Sequence, residues 1–323
     1  MIRTRCYRDG KLKQEGFAVE DVSALLADDS TVVWFDLCGD DARHLEVVRR
    51  ELGLHDLAVE DVGTPGQRPK LDHYPEHLFL VAYSLEINTD TGVLTAHEVS
   101  AFITPRALVT VRADEGFALD EVIRRWDAEP QLASSGVSYL IHGLLDYVVD
   151  THFRAVELLD SAVDGLEDQV FDEVTSDAQM QRRTFQLRKS LVSMRRLVLP
   201  MREVVNTLLR RDLKVIDQQM VPYYQDVYDH VLRVSEWTDS LRDLIANILE
   251  TRLTVRSNRL NVIMKKVTSW AAIIAIPTAV TGYFGQNIPF PGFGTGWGVW
   301  LSFGVMLVSS VTLYVTFKIK GWL

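Results

Sequence analysis

Between Val267 and Phe317 the chain carries no Asp, Glu, Lys or Arg. The whole chain is 24% charged, so a window of roughly 50 residues should hold roughly a dozen charges. No ordinary fluctuation empties it. A helix needs about 20 apolar residues to cross a hydrocarbon core of ~30 Å, and the window is long enough for two. The first span is expected near 267–284 and the second near 299–317. The link between them, 285–298, is rich in glycine and holds Pro289 and Pro291. A helical hairpin inside a soluble core is the alternative, but two consecutive uncharged segments of this length are rare there.

Flanking charge sets the orientation. Arg252, Arg256, Arg259, Lys265 and Lys266 precede the first span, and Lys318 and Lys320 follow the second. The link holds no positive charge. Basic residues stay on the cytoplasmic side, so both termini are expected in the cytoplasm and the link outside a cell (inner or plasma) membrane. Within the link, Gly285-Gln286-Asn287 places two amides where a helix ends and water begins. The prolines that follow prevent the helix from continuing.

The rest of the chain reads as two further parts. Residues 1–133 mix strands with helices: 31–39, 77–87, 98–105 and 106–112 are β-branched, aromatic and apolar runs, and 40–53 is a helix with a glycine stop. Residues 134–266 have the period of long helices. After Pro222 no Pro or Gly occurs until Pro277. Val227, Val231, Val234, Thr238, Leu241, Ile245, Ile248, Arg252 and Val255 alternate steps of four and three, a narrow stripe suited to helix packing. One helix is therefore expected from near Pro222 to Phe284, on the order of 90 Å long. The fold class is an α+β membrane protein: an N-terminal α/β cytoplasmic domain, a long helical stalk or funnel, and two C-terminal transmembrane helices in 267–323.

Several function classes drop out. A net charge of −10 argues against nucleic acid as a partner. Cys6 and Cys38, the two cysteines, give no disulfide framework. The N-terminus has no long apolar run of the kind a cleavable signal needs. His73 and His77 are four apart, but Pro75 between them argues against a zinc pair. Pro291–Gly298 alternates glycines without the lysine or preceding strand of a phosphate loop, and reads as a flexible external loop. No nucleophile–base constellation is visible, so no enzyme is expected.

Taken together, "QRPK" at 67–70, "PYYQDVYDH" at 222–230, "SNRLNVIMK" at 257–265, "GQN" at 285–287 and the terminal "KIKGWL" resemble the CorA family of magnesium and cobalt transporters. The resemblance covers nearly the whole chain in consistent order. It implies a homopentamer, with the subunit's own copies and the lipid as partners, and a pore lined by the first span. In the family the first span ends in Gly-Met-Asn; here Gln286 replaces the methionine. Asn287 matches the residue that forms a carboxamide ring at the outer pore mouth. A neutral amide can hydrogen-bond a hydrated ion without trapping it. Counting inward from Asn287 at helical spacing gives Gly282, Thr278, Ala275, Ala271, Val267 (or Thr268), Met264 and Asn261 on one face. Met264 and Val267 could form a hydrophobic constriction.

The resemblance also implies regulatory magnesium between subunits, held by Asp226 with an acid from the N-terminal part. Asp90, or nearby Asn88, is the candidate for that acid, and Asp146 resembles a further such position. The cargo implied is Mg²⁺, with Co²⁺ and Ni²⁺ as companions. Two other readings stand beside it. One is a zinc transporter of the ZntB type, favoured by the absence of an acid in 288–297. The other is a membrane-anchored metal sensor that conducts nothing.

Overall fold

The computed structural model describes residues 2–39, 42–62, 64, 66–170, 177–210, 215–286 and 289–323. The chain divides into two compact units, 1–246 and 247–323.

The first unit is built on a seven-stranded sheet. Its strands are β1 (Ile2–Arg8), β2 (Lys11–Glu15), β3 (Thr31–Cys38), β4 (Lys70–His73), β5 (Leu78–Ile87), β6 (Leu94–Ile103) and β7 (Ala107–Arg112). The order is β2-β1-β3-β7-β6-β5-β4. All neighbours are antiparallel except β3 and β7. Successive side chains point to opposite faces, and both faces are covered. Val33, Phe35 and Leu37 share one core with Phe79, Val81, Phe102 and Val109. That face is roofed by α1 (Val22–Leu26), α2 (Ala42–Leu52) and α3 (Asp56–Val62), which contribute Val22, Val48 and Ala58.

The opposite face takes Trp34, Leu80, Ala101 and Leu108. Packed on it are α4 (Leu119–Ala128) and α5 (Val137–Asp168), with Met201, Val204 and Val205 of α6 (Asp177–Leu208). Trp34 meets Trp126 edge to face at 5.0 Å, and the Trp126 indole donates to the Leu140 carbonyl at 3.1 Å. Asp36 is fully buried in the middle of the sheet. Arg112 answers it at 2.6 Å and donates onward to the Phe117 carbonyl, so neither charge is left bare. β4 is short, and its pairing with β5 ends at Val81. Beyond that point α5 replaces it: the Leu85 N–H donates to Thr151 Oγ1 at 3.0 Å, and His152 Nε2 donates to the Tyr83 carbonyl at 2.8 Å.

The long-helix expectation is met by α7, Val221–Phe284, which continues through Pro277. Its stripe is buried as far as Ile248: Val227, Val231, Val234, Thr238, Leu241, Ile245 and Ile248 are each at most 4% exposed, while Arg252 and Val255 are half-buried. Arg195 of α6 pairs with Asp239 at 2.7 Å, and Trp237 donates to Asp160 of α5 at 3.2 Å. The second unit holds the C-terminal part of α7 and the helix α8 (Gly296–Ile319). Both helices are long and apolar enough to cross a membrane.

Candidate functional site

The seven α7 positions proposed as pore-lining, Asn261, Met264, Val267, Ala271, Ala275, Thr278 and Gly282, are all exposed within one chain. They recur every three or four residues and so share one side of the helix. Between them, Ala272, Ile273, Ile276, Pro277 and Val280 are half-buried. The helix thus has one covered side and one side left open, and small residues dominate the open side above Val267. A Cβ added at Gly282 would meet no atom within 4 Å. Hydroxyls on this stretch are satisfied internally: Thr278 donates to Ile274 O at 3.3 Å and Thr281 to Pro277 O at 2.8 Å.

At the C-terminal end of α7, Asn287 and Ile288 lie outside the described residues, and the Gly285-Gln286-Asn287 stretch is described up to Gln286. Gly285 N–H donates to Thr281 O at 2.8 Å and closes the last turn. A Cβ at Gly285 would come to 2.8 Å from that same carbonyl oxygen, which accounts for glycine there. Gln286 follows, exposed, with its N–H on Tyr283 O at 3.3 Å. Tyr283, Phe284, Phe290 and Phe293 gather by edge and tilted contacts, Phe284 to Phe290 at 4.9 Å. Within 289–298 the glycine-rich link forms hydrogen-bonded turns. Thr295 N–H bonds Gly292 O at 3.1 Å, and a Cβ at Gly298 would strike Gly292 O at 2.4 Å. Its glycines serve close backbone approach.

Near Asn261, at the other end of this stretch, a cavity of about 350 Å³ is lined by Asn261, Met264, Lys265 and Thr268 of α7 and by Trp322. Gly321, with φ of 67°, turns the chain after α8 so that Trp322 stacks on Phe317 at 5.5 Å. A larger cavity of about 560 Å³ in the first unit lies between the β4–β5 turn and the start of α5, with His77, Arg106 and Asp217 in its walls.

The three acids expected to be regulatory have different surroundings. Asp226, on the first turns of α7, is 67% exposed at its side chain, with His230 Nδ1 at 3.6 Å. Asp146 is held by Arg125, which also reaches Asp150 at 2.6 Å. Asp90 sits in the β5–β6 turn. There the Asn88 side-chain oxygen accepts from Asp90 N–H at 3.1 Å and Thr91 N–H at 2.9 Å, so Asn88 is engaged in shaping the turn. Among the described residues nothing links Asp90 to Asp226. Sequence reasoning passed over His142, which stands among Asp146, Glu129 and Asp226. Burial pushes its imidazole below the ordinary value against the pull of these carboxylates, Asp146 first. Its rings of contact are Tyr223 and Tyr224, at 5.6 and 5.7 Å. A lone histidine on an apolar helix carries no pattern that marks it in the sequence. Among the described residues no three His, Cys, Asp or Glu side chains stand close enough to hold a metal ion.

Comparison with known proteins bears on these features. Residues 29–318 match the model of the family described as "CorA-like Mg2+ transporter protein". A cobalt/magnesium transport protein CorA from Thermotoga maritima is 30% identical over 314 residues, covering 95% of this chain and 88% of that protein. A divalent cation transporter CmaX from Pseudomonas aeruginosa is 26% identical, covering 85% and 83%. Among solved structures, the complete CorA magnesium transporter from Methanocaldococcus jannaschii matches with a TM-score of 0.79 at 19% identity, covering 99% and 98%. The ZntB cytoplasmic domain from Vibrio parahaemolyticus matches with a TM-score of 0.56 at 12% identity, covering 70% and 88%.

Proposed function

We propose, for a chain that belongs to the CorA family of divalent-cation transporters, that it assembles as a homopentamer and carries magnesium into the cell through a pore lined by α7. The observation that carries the reading is the open side of α7. Asn261, beside Lys265 and Lys266 at the end of the span, and the small residues Ala271, Ala275, Thr278 and Gly282 along it suit a water-filled path better than lipid. A ring of copies that turns these sides inward gives them that path. Magnesium sheds its water reluctantly. Hydrated ions would meet amide oxygens of Gln286 and Asn287 at the mouth, pass the small residues Gly282, Thr278, Ala275 and Ala271, and reach the apolar ring of Val267 and Met264. The membrane potential would drive inward flow with about 2.3 kcal/mol per charge per 100 mV.

Regulation by cytoplasmic magnesium is proposed at Asp226. Its exposed carboxylate, with His230 beside it, makes an incomplete donor set in one chain and fits a hard cation only when a neighbouring copy supplies more oxygens, Asp90 being the candidate. Asp146 would have to release Arg125 before serving. Bound metal would tie copies together and favour the narrow state; its loss would let the ring loosen.

Ion flux into liposomes, comparing magnesium, cobalt, nickel and zinc, tests the cargo. Magnesium flux that falls at least about tenfold in Asn287→Ala, with assembly unchanged in native mass spectrometry, supports the pore mouth. Full flux in that variant would mean that the amides only cap a helix. Zinc flux exceeding magnesium flux would favour the ZntB-type reading, to which the ZntB domain likeness and the acid-free link point. No flux of any ion would leave a membrane-anchored sensor.

A further inference from the structure

The helices α5 and α6 present two exposed faces of opposite charge. On α6, Phe185 is 70% and Leu199 40% exposed, with half-buried Val192 midway at seven-residue spacing. Arg182, Arg188, Lys189 and Arg196 flank this apolar line, all exposed. These residues fall on one side of the helix, away from buried Met180, Thr184, Leu187 and Met194. Arg5, Arg49, Arg112, Arg125 and Arg195 all hold carboxylates. By contrast, Arg182, Arg188, Lys189 and Arg196 make no ion pair among the described residues, in a chain of net charge −10.

On α5, Glu157, Asp164 and Asp168 are exposed on the side opposite buried Val156, Leu159, Val163 and Leu166, and also make no ion pair among the described residues. Leu158, 39% exposed, and Gly165 lie between them, again seven apart. Arg154 is the cation on this side, one turn before Glu157.

We propose that the basic face of α6 on one copy docks on the acidic face of α5 on the next copy. The proposal rests on the ring assembly put forward above and names a contact that holds it. Two equal faces would repel, so a symmetric pair joined through either face is disfavoured. A basic-to-acidic contact that runs in one direction from copy to copy is head-to-tail, and head-to-tail contacts produce rings when the rotation closes. Phe185 and Val192, seven residues apart, would cover Gly165 and Leu158, which have the same spacing. The flanking charges would set the register and suppress wrong pairings.

The test uses the full-length protein in nanodiscs of neutral phosphatidylcholine. Lys189→Cys and Asp164→Cys are placed in the same chain and treated with a mild oxidant. The expected result is a ladder of covalent multimers on a non-reducing gel. Each single variant, and the unmodified chain with Cys6 and Cys38, should give none above background. Adding Arg182→Glu, Arg188→Glu and Arg196→Glu should lower the ladder roughly tenfold. Adding Glu157→Lys and Asp168→Lys as well should restore it, which separates loss of docking from loss of folding. A ring in native mass spectrometry without a ladder overturns the docking and leaves the ring reading standing. Absence of a ring overturns both. The competing occupant is an anionic lipid surface, to which exposed Phe, Arg and Lys also bind. A fluorophore on Lys189→Cys that is quenched by brominated phosphatidylserine, with no ladder, decides for lipid and against a second copy.

Discussion

Residues 1–246 and 247–323 use the same apolar side chains to opposite ends. In the first unit Trp34, Trp126, Phe79 and Phe102 are under 2% exposed or close to it. In the second, Trp300 is 79%, Leu307 68% and Ile274 64% exposed within one chain. Hydrophobicity alone does not separate them; pattern does. Apolar residues of the first unit alternate along strands or hold to one stripe of a helix, leaving polar neighbours for water. In the spans they surround the helix, as suits a segment whose solvent is lipid or another copy. The interior of the first unit is closed by its own chain, and the second unit is completed from outside.

The contrast is broken most forcefully at the buried ion pair. Arg112→Met takes the guanidinium from the buried Asp36 carboxylate and leaves it the Thr110 hydroxyl, at 2.8 Å, as its side-chain partner. The substitution should cost about 3–5 kcal/mol, read by denaturant unfolding of the detergent-solubilised protein. A loss no larger than that of a surface arginine would show that water reaches the sheet.

Acid should act on the first unit through His152. Burial lowers its pKa from 6.5 to about 4, whereas in the unfolded chain it titrates near 6.5. Between these values the unfolded state takes up a proton that the folded state refuses. Its contribution is intact above pH 6.5 and is lost as pH falls toward 4, by up to about 3 kcal/mol. Unfolding midpoints at pH 7.5 and 5 should separate, and His152→Gln should flatten the slope. Equal slopes would place the acid sensitivity elsewhere.

Within the second unit, Gly282 and Gly285 sharpen the comparison between fold and pore. Gly282→Leu strikes nothing in its own chain, so it should leave the monomer's helix intact while lowering flux about tenfold by crowding the ring axis. Gly285→Ala instead pushes on Thr281 O and should disturb the helix end itself. Circular dichroism and liposome flux together distinguish the two; unchanged flux in Gly282→Leu would remove this side of α7 from the pore. The smallest effect is expected at Trp300→Ala, which should change unfolding in detergent by less than about 0.5 kcal/mol, in contrast to any buried tryptophan of the first unit.

Much of this was legible before any coordinates. The charge-free segment gave the spans, and the four-three stripe from Val227 to Ile248 gave the long helix and its buried side. The runs at 31–39, 77–87 and 106–112 became β3, β5 and β7. The start of β6 at Leu94 was missed because Thr95, Ala96 and His97 are not an apolar run. The first hairpin, β1 and β2, was missed for a similar reason. Its basic residues look like a solvated tail, yet Arg5 is 7% exposed and held by Glu15 at 2.7 Å and Asp127 at 2.8 Å, the latter 122 residues away. The grip of Arg125 on Asp146 is likewise a partnership across chain distance, which no local pattern announces. Spacing could put the seven α7 residues on one side; it could not say which side its own chain would leave open.

The substitution of α5 for a strand at the end of β5 has a consequence for synthesis. An N-terminal part emerging from a ribosome can align its strands as soon as Arg112 is out. The edge past Val81 nevertheless stays unpaired until Thr151 and His152 have been made. Until then its free N–H and C=O groups are a template for another nascent chain. A fragment ending at residue 133 would keep that edge for life and should aggregate. A fragment extended to the end of α5 would carry its own closure, so the smallest soluble piece of this protein is set by where a helix begins to act as a strand.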